Sequence, residues 1–342
     1  MLKIKDISFL TIIISFVVFN SCTQTCNCTD LRSEDGIYFR KDSHDPYNGS
    51  CESDIYGVKK VQKFKDGLLS GEFKSVDEQG NLLSISTYRK GLRNGWSISF
   101  YSNGNKEKED KYLDDNKNGI SRSWYENGEI KSEGKFVEGK KHGIHTEFYK
   151  GEKKKRESSF FKGAKHGEWI VWFESGKVKT KGQYENGSKN GKWLTWYENG
   201  GLKSEENYNK GVPNGEWTAW FDNGKVQSKG TYQDGNKEGN WTCWYESGQV
   251  KERMSYLKSM LNGAYNMWYE NGNLKEAGQY EANAKCGRCS TYYKDGQKES
   301  VGNYVNGVFQ GNVTIWLPSG VKEIHSFENG EHVKAKKEEP IF

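Results

Sequence analysis

The residues of this 342-residue chain that are best suited to chemistry are its seven cysteines and six histidines. Cys286-Gly287-Arg288-Cys289 has the spacing of a redox or metal-binding pair, but no second pair completes a zinc site. We interpret these two cysteines as a structural disulfide or as free thiols. His142 and His166 stand where other stretches carry asparagine just before a glycine, which indicates turn residues. The sequence therefore predicts no catalytic site, no metal and no cofactor.

One glycine position recurs every 24 residues without a slip. We call these eleven residues the anchor glycines: Gly71, Gly95, Gly119, Gly143, Gly167, Gly191, Gly215, Gly239, Gly263, Gly287 and Gly311. Self-similarity at a fixed period marks a repeat array, in which each unit contacts only its neighbours. The array can form a thin sheet even though only 33% of the residues are hydrophobic.

Aromatic residues keep the same phase as the anchor glycines. Five residues after most anchors stands a tryptophan, and these residues form the tryptophan row: Trp124, Trp172, Trp196, Trp220, Trp244, Trp268 and Trp316. An Asn-Gly or Ser-Gly pair then follows, as at Asn199-Gly200, and two aromatic or β-branched runs joined in this way predict a hairpin. We therefore expect an all-β protein, an elongated single-sheet array of hairpins that forms a twisted or curved antiparallel meander.

Side chains alternate between the two faces of a strand, so the aromatic rows fall on both faces. Gly182 lies in the middle of a returning strand, where glycine often marks the close approach of another group. We expect a tryptophan ring to lie across it. The tryptophan row either packs between repeats or lines a binding groove, and its burial distinguishes these two interpretations.

The repeated pattern G-x-W-x-x-W-Y-E-N-G-x-h-K-x-x-G-x-Y-x-x-G resembles the MORN repeat (membrane occupation and recognition nexus) in its bacterial variant form. The resemblance covers residues 47–331. It implies attachment to a membrane or to a protein. The bacterial variant is also known as a YwqK-like antitoxin, which implies the neutralisation of a toxic partner.

The amino terminus is typical of an exported protein. Residues 1–21 combine Lys3 and Lys5 with a short apolar run, as in a signal peptide. Ser21-Cys22 resembles the end of a bacterial lipobox, so we expect lipidation at Cys22, and the alternative is an ordinary secretory signal. Because an exported chain meets an oxidising compartment, we also expect Cys51 to bridge to Cys26 or Cys28. The pairing among Cys26, Cys28, Cys51, Cys243, Cys286 and Cys289 stays open at this stage.

The remaining boundaries follow the repeat frame. Residues 22–46 lack periodicity and are interpreted as a tether, 47–70 as a degenerate capping repeat, and 71–331 as the array. Residues 332–342 are interpreted as a charged, disordered tail.

The charges exclude one class of partner. The formal net charge is +5, with acids and bases interleaved, whereas a nucleic-acid binder shows a clustered basic face. We therefore predict a non-enzymatic, exported and lipid-anchored scaffold of the cell envelope, at the outer membrane, which binds a protein or an envelope polymer. The alternatives are an antitoxin or immunity protein and a carbohydrate-binding surface formed by the tryptophan row.

Overall fold

The structure is a computed structural model that describes residues 25–338. The signal segment 1–21 and Cys22 lie outside the described residues. The chain divides into two units, which meet in sequence at Gly104 and Asn105.

Over residues 25–104, the first unit contains nine strands and one turn of 3-10 helix at Cys28–Asp30. The strands are β1 Thr25–Asn27, β2 Leu31–Glu34, β3 Ile37–Arg40, β4 Gly49–Ile55, β5 Val58–Lys65, β6 Leu68–Leu69, β7 Gly71–Val76, β8 Leu82–Arg89 and β9 Leu92–Phe100. Strands β4 to β9 form an antiparallel meander, and β1 pairs in parallel with β4. Strands β2 and β3 form a separate hairpin.

Residues 25–47 pack against the hairpin formed by β4 and β5. A disulfide joins Cys28 to Cys51, and the aromatic ring of Tyr47 packs 5.8 Å from that of Phe64, measured between centroids. These residues share one small core with Cys26, which keeps a free thiol. The described part of the segment interpreted as a tether is therefore a folded cap. Local sequence periodicity missed it because this cap is held by long-range pairing and a disulfide.

Within the described residues, the second unit contains the remaining strands, each antiparallel to its neighbours in the sheet. They are β10 Lys106–Leu113, β11 Asn116–Trp124, β12 Ile130–Val137, β13 Lys140–Phe148, β14 Lys154–Phe161, β15 Ala164–Trp172, β16 Val178–Glu185, β17 Ser188–Trp196, β18 Leu202–Asn209, β19 Val212–Pro213, β20 Gly215–Trp220, β21 Val226–Gln233, β22 Asn236–Trp244, β23 Val250–Leu257, β24 Met260–Trp268, β25 Leu274–Glu281, β26 Ala284–Tyr292, β27 Lys298–Val305, β28 Val308–Phe309, β29 Gly311–Trp316, β30 Lys322–Glu328 and β31 Glu331–Glu338. β19 and β20 together take the place of one long strand. β28 and β29 do the same in a later repeat.

Two kinds of turn join these strands. The turn at Asn186-Gly187 has two residues with positive φ, 48° and 87°, as a type I′ hairpin requires. The amide of Gly187 also donates to the carbonyl of Lys165, one repeat earlier, at 2.8 Å. At the other end the amide of Gly200 donates to the carbonyl of Tyr197 at 3.0 Å, and φ of Gly200 is 96°. Both ends of each repeat are therefore tight turns, and one of them also bonds to the repeat before it.

Every anchor glycine has a left-handed backbone, with φ between 63° and 123°. At Gly191 the pairing with the preceding strand slips, from Lys181↔Leu194 to Gln183↔Asn190. The extra residues form a β-bulge that bends the nine-residue strand. Glycine recurs here because residues with a β-carbon rarely adopt this backbone conformation.

The carboxyl terminus differs from the prediction. Glu331–Glu338 forms β31, which pairs along β30 from Lys322↔Glu338 to Glu328↔Glu331. The described part of the predicted tail is therefore a strand. Its charges are compatible with an edge strand, where lysines discourage further pairing.

The predicted fold class is confirmed within each unit: strands dominate and follow one another as antiparallel hairpins with a 24-residue period. No helix among residues 25–338 is long and apolar enough to span a membrane.

Candidate functional site

The two faces of the second unit carry different rings. Trp193 and Trp196 lie three positions apart in the same strand, so their side chains point to opposite faces. Trp193 is 4% exposed and Trp196 is half-buried. The most buried apolar side chains of this unit all lie two residues after an anchor glycine: Trp193, Trp241, Tyr265, Cys289 and Val313. One face is therefore a packed face, and the tryptophan row lies on the other.

The packed face is held together by what we call the aromatic spine. It consists of the rings two and seventeen residues after the anchors, and in its central part these are Trp169, Tyr184, Trp193, Tyr208, Trp217, Tyr232 and Trp241. Ring centroids are 5.3 Å apart for Trp169 and Tyr184 and 5.0 Å apart for Tyr184 and Trp193, both edge-to-face. Such pairs contribute about 0.5–1.5 kcal/mol beyond the area they bury. The spine stabilises a sheet that has no second layer.

Glycines in the returning strands leave space for the rings of the spine, because glycine has no side chain. The indole of Trp193 covers Gly182, where an added Cβ would lie 2.2 Å from Cδ2 of the ring. The indole nitrogen Nε1 donates to the carbonyl of Gln183 at 3.1 Å. Gly230 and Trp241 repeat the same arrangement. The expectation that a tryptophan ring crosses Gly182 is confirmed, and the ring comes from the spine.

Lysines two residues before the anchors cover the spine. The Nζ of Lys189 lies 4.4 Å from the centroid of Trp193 and 4.6 Å from that of Tyr208. Lys165 makes the same pair of contacts with Trp169 and Tyr184. Each lysine ammonium therefore makes cation–π contacts with two rings of the spine.

A tyrosine ladder fixes the turns that border the tryptophan row. Tyr197 donates its hydroxyl to the main-chain carbonyl of Trp220, in the next repeat, at 2.8 Å. Six such bonds of 2.7–3.0 Å recur along the unit, from Tyr125, Tyr149, Tyr197, Tyr245, Tyr269 and Tyr293. Each acceptor belongs to the residue five positions after an anchor. The ladder therefore ties six of these residues to the preceding repeat, whereas Phe173 and Phe221 have no hydroxyl to donate to the carbonyls of Trp196 and Trp244.

The tryptophan row itself is half-buried in every member. Six of the seven rings share their face with an aliphatic side chain across the hairpin, as in the pairs Trp196↔Leu202 and Trp220↔Val226, whereas Trp316 pairs with Lys322. Half-burial in a one-layer sheet leaves part of each ring accessible. The row is thus an apolar strip, interrupted at Phe148 and Tyr292, where other aromatics stand in phase.

Several charged side chains on the same face as the row form ion pairs. Lys192 contacts Glu205 at 2.5 Å, and Lys181 contacts Glu168 at 2.6 Å. Because each lysine faces a carboxylate, these pairs add no net charge. Towards the carboxyl-terminal end of the row, cations lie over single rings, with Arg253 5.7 Å from the centroid of Trp268 and Lys298 5.9 Å from that of Trp316.

The Cys-x-x-Cys motif lies on strand β26 and forms no disulfide. Cys289 is buried, and its Sγ lies 3.2 Å from the hydroxyl of Tyr265. Burial raises the pKa of the Cys289 thiol above its ordinary value. A thiol that is buried and protonated is a poor nucleophile, so the structure favours the interpretation of the pair as free thiols.

Glu276 lies at the centre of the polar cluster around Cys289. It accepts hydrogen bonds from the Tyr265 hydroxyl at 2.6 Å and from Nζ of Lys285 at 2.5 Å. Burial alone would raise the pKa of Glu276, but the bonds from Lys285 and Tyr265 hold this pKa below its ordinary value. Local sequence gave no signal for this cluster, because its members come from three different strands.

Among residues 25–338, no group of three or more histidines, cysteines or acidic residues is placed to hold a metal. His325 and His332 meet on β30 and β31, with Nδ1 3.1 Å from Nε2. His142 and His166, indicated as turn residues by the sequence, lie instead on strands β13 and β15, and both rings contact Phe161. These histidines make aromatic and hydrogen-bonding contacts between strands.

Sequence reasoning missed the tyrosine ladder and the lysines over the spine. Both have a signal in the chain, because tyrosine or phenylalanine follows six of the seven members of the tryptophan row and lysine often precedes an anchor glycine by two residues. Their partners belong to the neighbouring strand or repeat, and the register was needed to find them.

Comparison with known proteins agrees with this architecture. The family model described as MORN repeat variant matches seven segments, at residues 117–138, 165–186, 189–210, 213–234, 237–258, 261–282 and 285–306. No curated protein matches the chain. Among solved structures, a chain of the one described as "Crystal Structure of TcdB2-TccC3-Cdc42" aligns at 8% identity and a TM-score of 0.17. That alignment covers 88% of this chain and 21% of the other. The seven matches are in phase with the hairpins, so these segments carry MORN repeats of the variant type.

Proposed function

We propose that this protein is a non-catalytic binding scaffold whose ligand lies along the tryptophan row. The observation that carries the proposal is the repetition of one accessible ring, at one register, in successive hairpins held at fixed spacing by continuous strand pairing. A ligand that engages several repeats gains affinity from each of them, because the later contacts form intramolecularly.

The proposal includes export and a lipid anchor at Cys22. Its support is the signal-like segment 1–21 and the disulfide between Cys28 and Cys51, since disulfides persist in oxidising compartments. The folded cap begins within a few residues of Cys22, so an anchor there would hold the repeats close to a membrane surface. Mass spectrometry of the mature amino terminus tests this part. An unacylated Cys22, or an intact segment 1–21, would remove the anchor from the proposal.

The binding surface is tested by changing three neighbouring rings together, Trp196, Trp220 and Trp244, each to leucine. Leucine keeps apolar contact with the sheet but removes the flat ring. The wild-type chain and the variant are used to capture ligands from an envelope extract, and we expect the variant to lose them.

Trp217→Leu is the matched control, because Trp217 belongs to the spine on the opposite face. Circular dichroism of both proteins verifies that the sheet is intact. Capture that survives in the triple variant, with the sheet intact, would refute the tryptophan row as the binding surface.

A further inference from the structure

The ligand class follows from the spacing of the tryptophan row. Neighbouring strands lie about 4.8 Å apart, so equivalent residues of successive hairpins are about 10 Å apart, which is close to the length of one disaccharide in an extended β-1,4-linked chain. In such a chain alternate sugars turn opposite sides outward, so the same side recurs once per disaccharide. One ring per repeat therefore meets equivalent sugars.

The chemistry of the strip fits an uncharged sugar. The apolar side of a pyranose, which is lined by C–H groups, packs on a flat indole, and the row supplies indoles alternating with Leu202, Val226 and Val250. The ring-borne hydroxyls then reach the paired charges Lys192–Glu205 and Lys229–Glu216, which offer donors and acceptors without net charge. A polyanion or an anionic membrane would require unpaired lysines in this place.

The main-chain geometry disfavours an added peptide strand as the occupant of this face. Strand addition uses a free sheet edge, whereas Trp196, Trp220 and Trp244 lie on strands whose two neighbours are present. The carbonyls of Trp220 and Trp268 are also occupied by the tyrosine ladder. A ligand on this face can therefore contact side chains but cannot pair with the main chain.

We propose that Trp196, Trp220 and Trp244 bind an extended, uncharged, β-linked polysaccharide, with one disaccharide on each repeat. This inference rests on the proposed function and names the ligand of that same surface. Sheet twist of about 20° per strand turns successive indoles by about 40°, so a stiff chain leaves the row after about three repeats. The site therefore accommodates about six sugars, two for each of three rings.

The experiment is a calorimetric titration of the full chain with chito-oligosaccharides and cello-oligosaccharides of two to eight sugars. We expect affinity to rise with length up to about six sugars and then to level off. Each Trp→Leu change at positions 196, 220 and 244 should weaken binding of the hexamer by about tenfold, while Trp217→Leu should leave binding unchanged.

The outcomes separate this inference from the proposed function. No binding of the oligosaccharides, no dependence on their length, or binding kept by the triple variant would overturn the sugar proposal. Capture of a protein, or of vesicles containing phosphatidylglycerol, through the same three tryptophans would also overturn it and leave the scaffold function standing. If the triple variant captures everything that the wild-type chain does, both proposals fall.

Discussion

Replacing Gly182 with alanine tests the packing that supports the whole sheet. An added Cβ would lie 2.2 Å from Cδ2 and 2.7 Å from Cγ of Trp193, so the clash involves the root of the ring and not a flexible tip. Trp193 is 4% exposed, and its ring is held by the edge-to-face contact with Tyr184 and the bond to the carbonyl of Gln183. Overpacking of this kind typically costs about 1–3 kcal/mol, and we expect about 2 kcal/mol for Gly182→Ala.

The assay is urea unfolding, followed by circular dichroism, together with amide hydrogen exchange in β16 and β17. Exchange is included because repeat arrays need not unfold in one step. The double variant Gly182→Ala/Trp193→Ala isolates the clash, since alanine at position 182 costs little once the ring is gone. A double-mutant cycle should give a coupling of about 2 kcal/mol.

Gly191→Ala is the matched control, because it is the same chemical change by a different mechanism. An added Cβ at Gly191 meets nothing within 4 Å, but its φ of 70° is left-handed. We expect a loss of about 1–2 kcal/mol that Trp193→Ala does not relieve. Equal rescue of both alanine variants by Trp193→Ala would refute the reasoning.

Three further predictions concern single bonds. Tyr245→Phe removes the hydroxyl that donates to the Trp268 carbonyl at 2.9 Å, and thermal unfolding should show a loss of about 1 kcal/mol. No change would mean that water replaces the bond without cost. The pKa of Glu276 is lowered in the folded state, so its contribution is present above the unfolded pKa and lost as pH falls through the folded pKa. Glu276→Gln should therefore flatten the acid side of the stability curve in pH-dependent urea melts, and an unchanged acid side would contradict this. Cys51→Ser breaks the disulfide across 23 residues and should cost about 3 kcal/mol in the unfolding of the first unit, whereas a loss below 1 kcal/mol would show that the cap is held by packing alone.

The sequence was sufficient for the features that repeat. A fixed glycine period predicted the hairpins, and all eleven anchors have the left-handed backbone that glycine favours. The mid-strand position of Gly182 predicted a covering tryptophan, because a missing side chain in a strand leaves space for a neighbour.

Features that depend on distant partners were not predictable in the same way. The segments at 25–46 and 331–338 lack the repeat pattern, yet the structure places strands in both. These segments are folded because they pair with β4 and β30. Amino-acid composition does not reveal such pairing. The pairing of Cys28 with Cys51 was one of two alternatives, although Cys26 lies opposite Cys51 in the register.

The hairpin repeat has a consequence for how such genes change. Each 24-residue unit is one complete hairpin with the same turns and bulge, so duplicating or deleting a whole hairpin leaves every other hairpin in register. An insertion of a single residue within a strand would reverse the two faces locally and expose the spine. Natural length variants should therefore differ by complete units, and the reach of the protein can be adjusted without redesigning its interior.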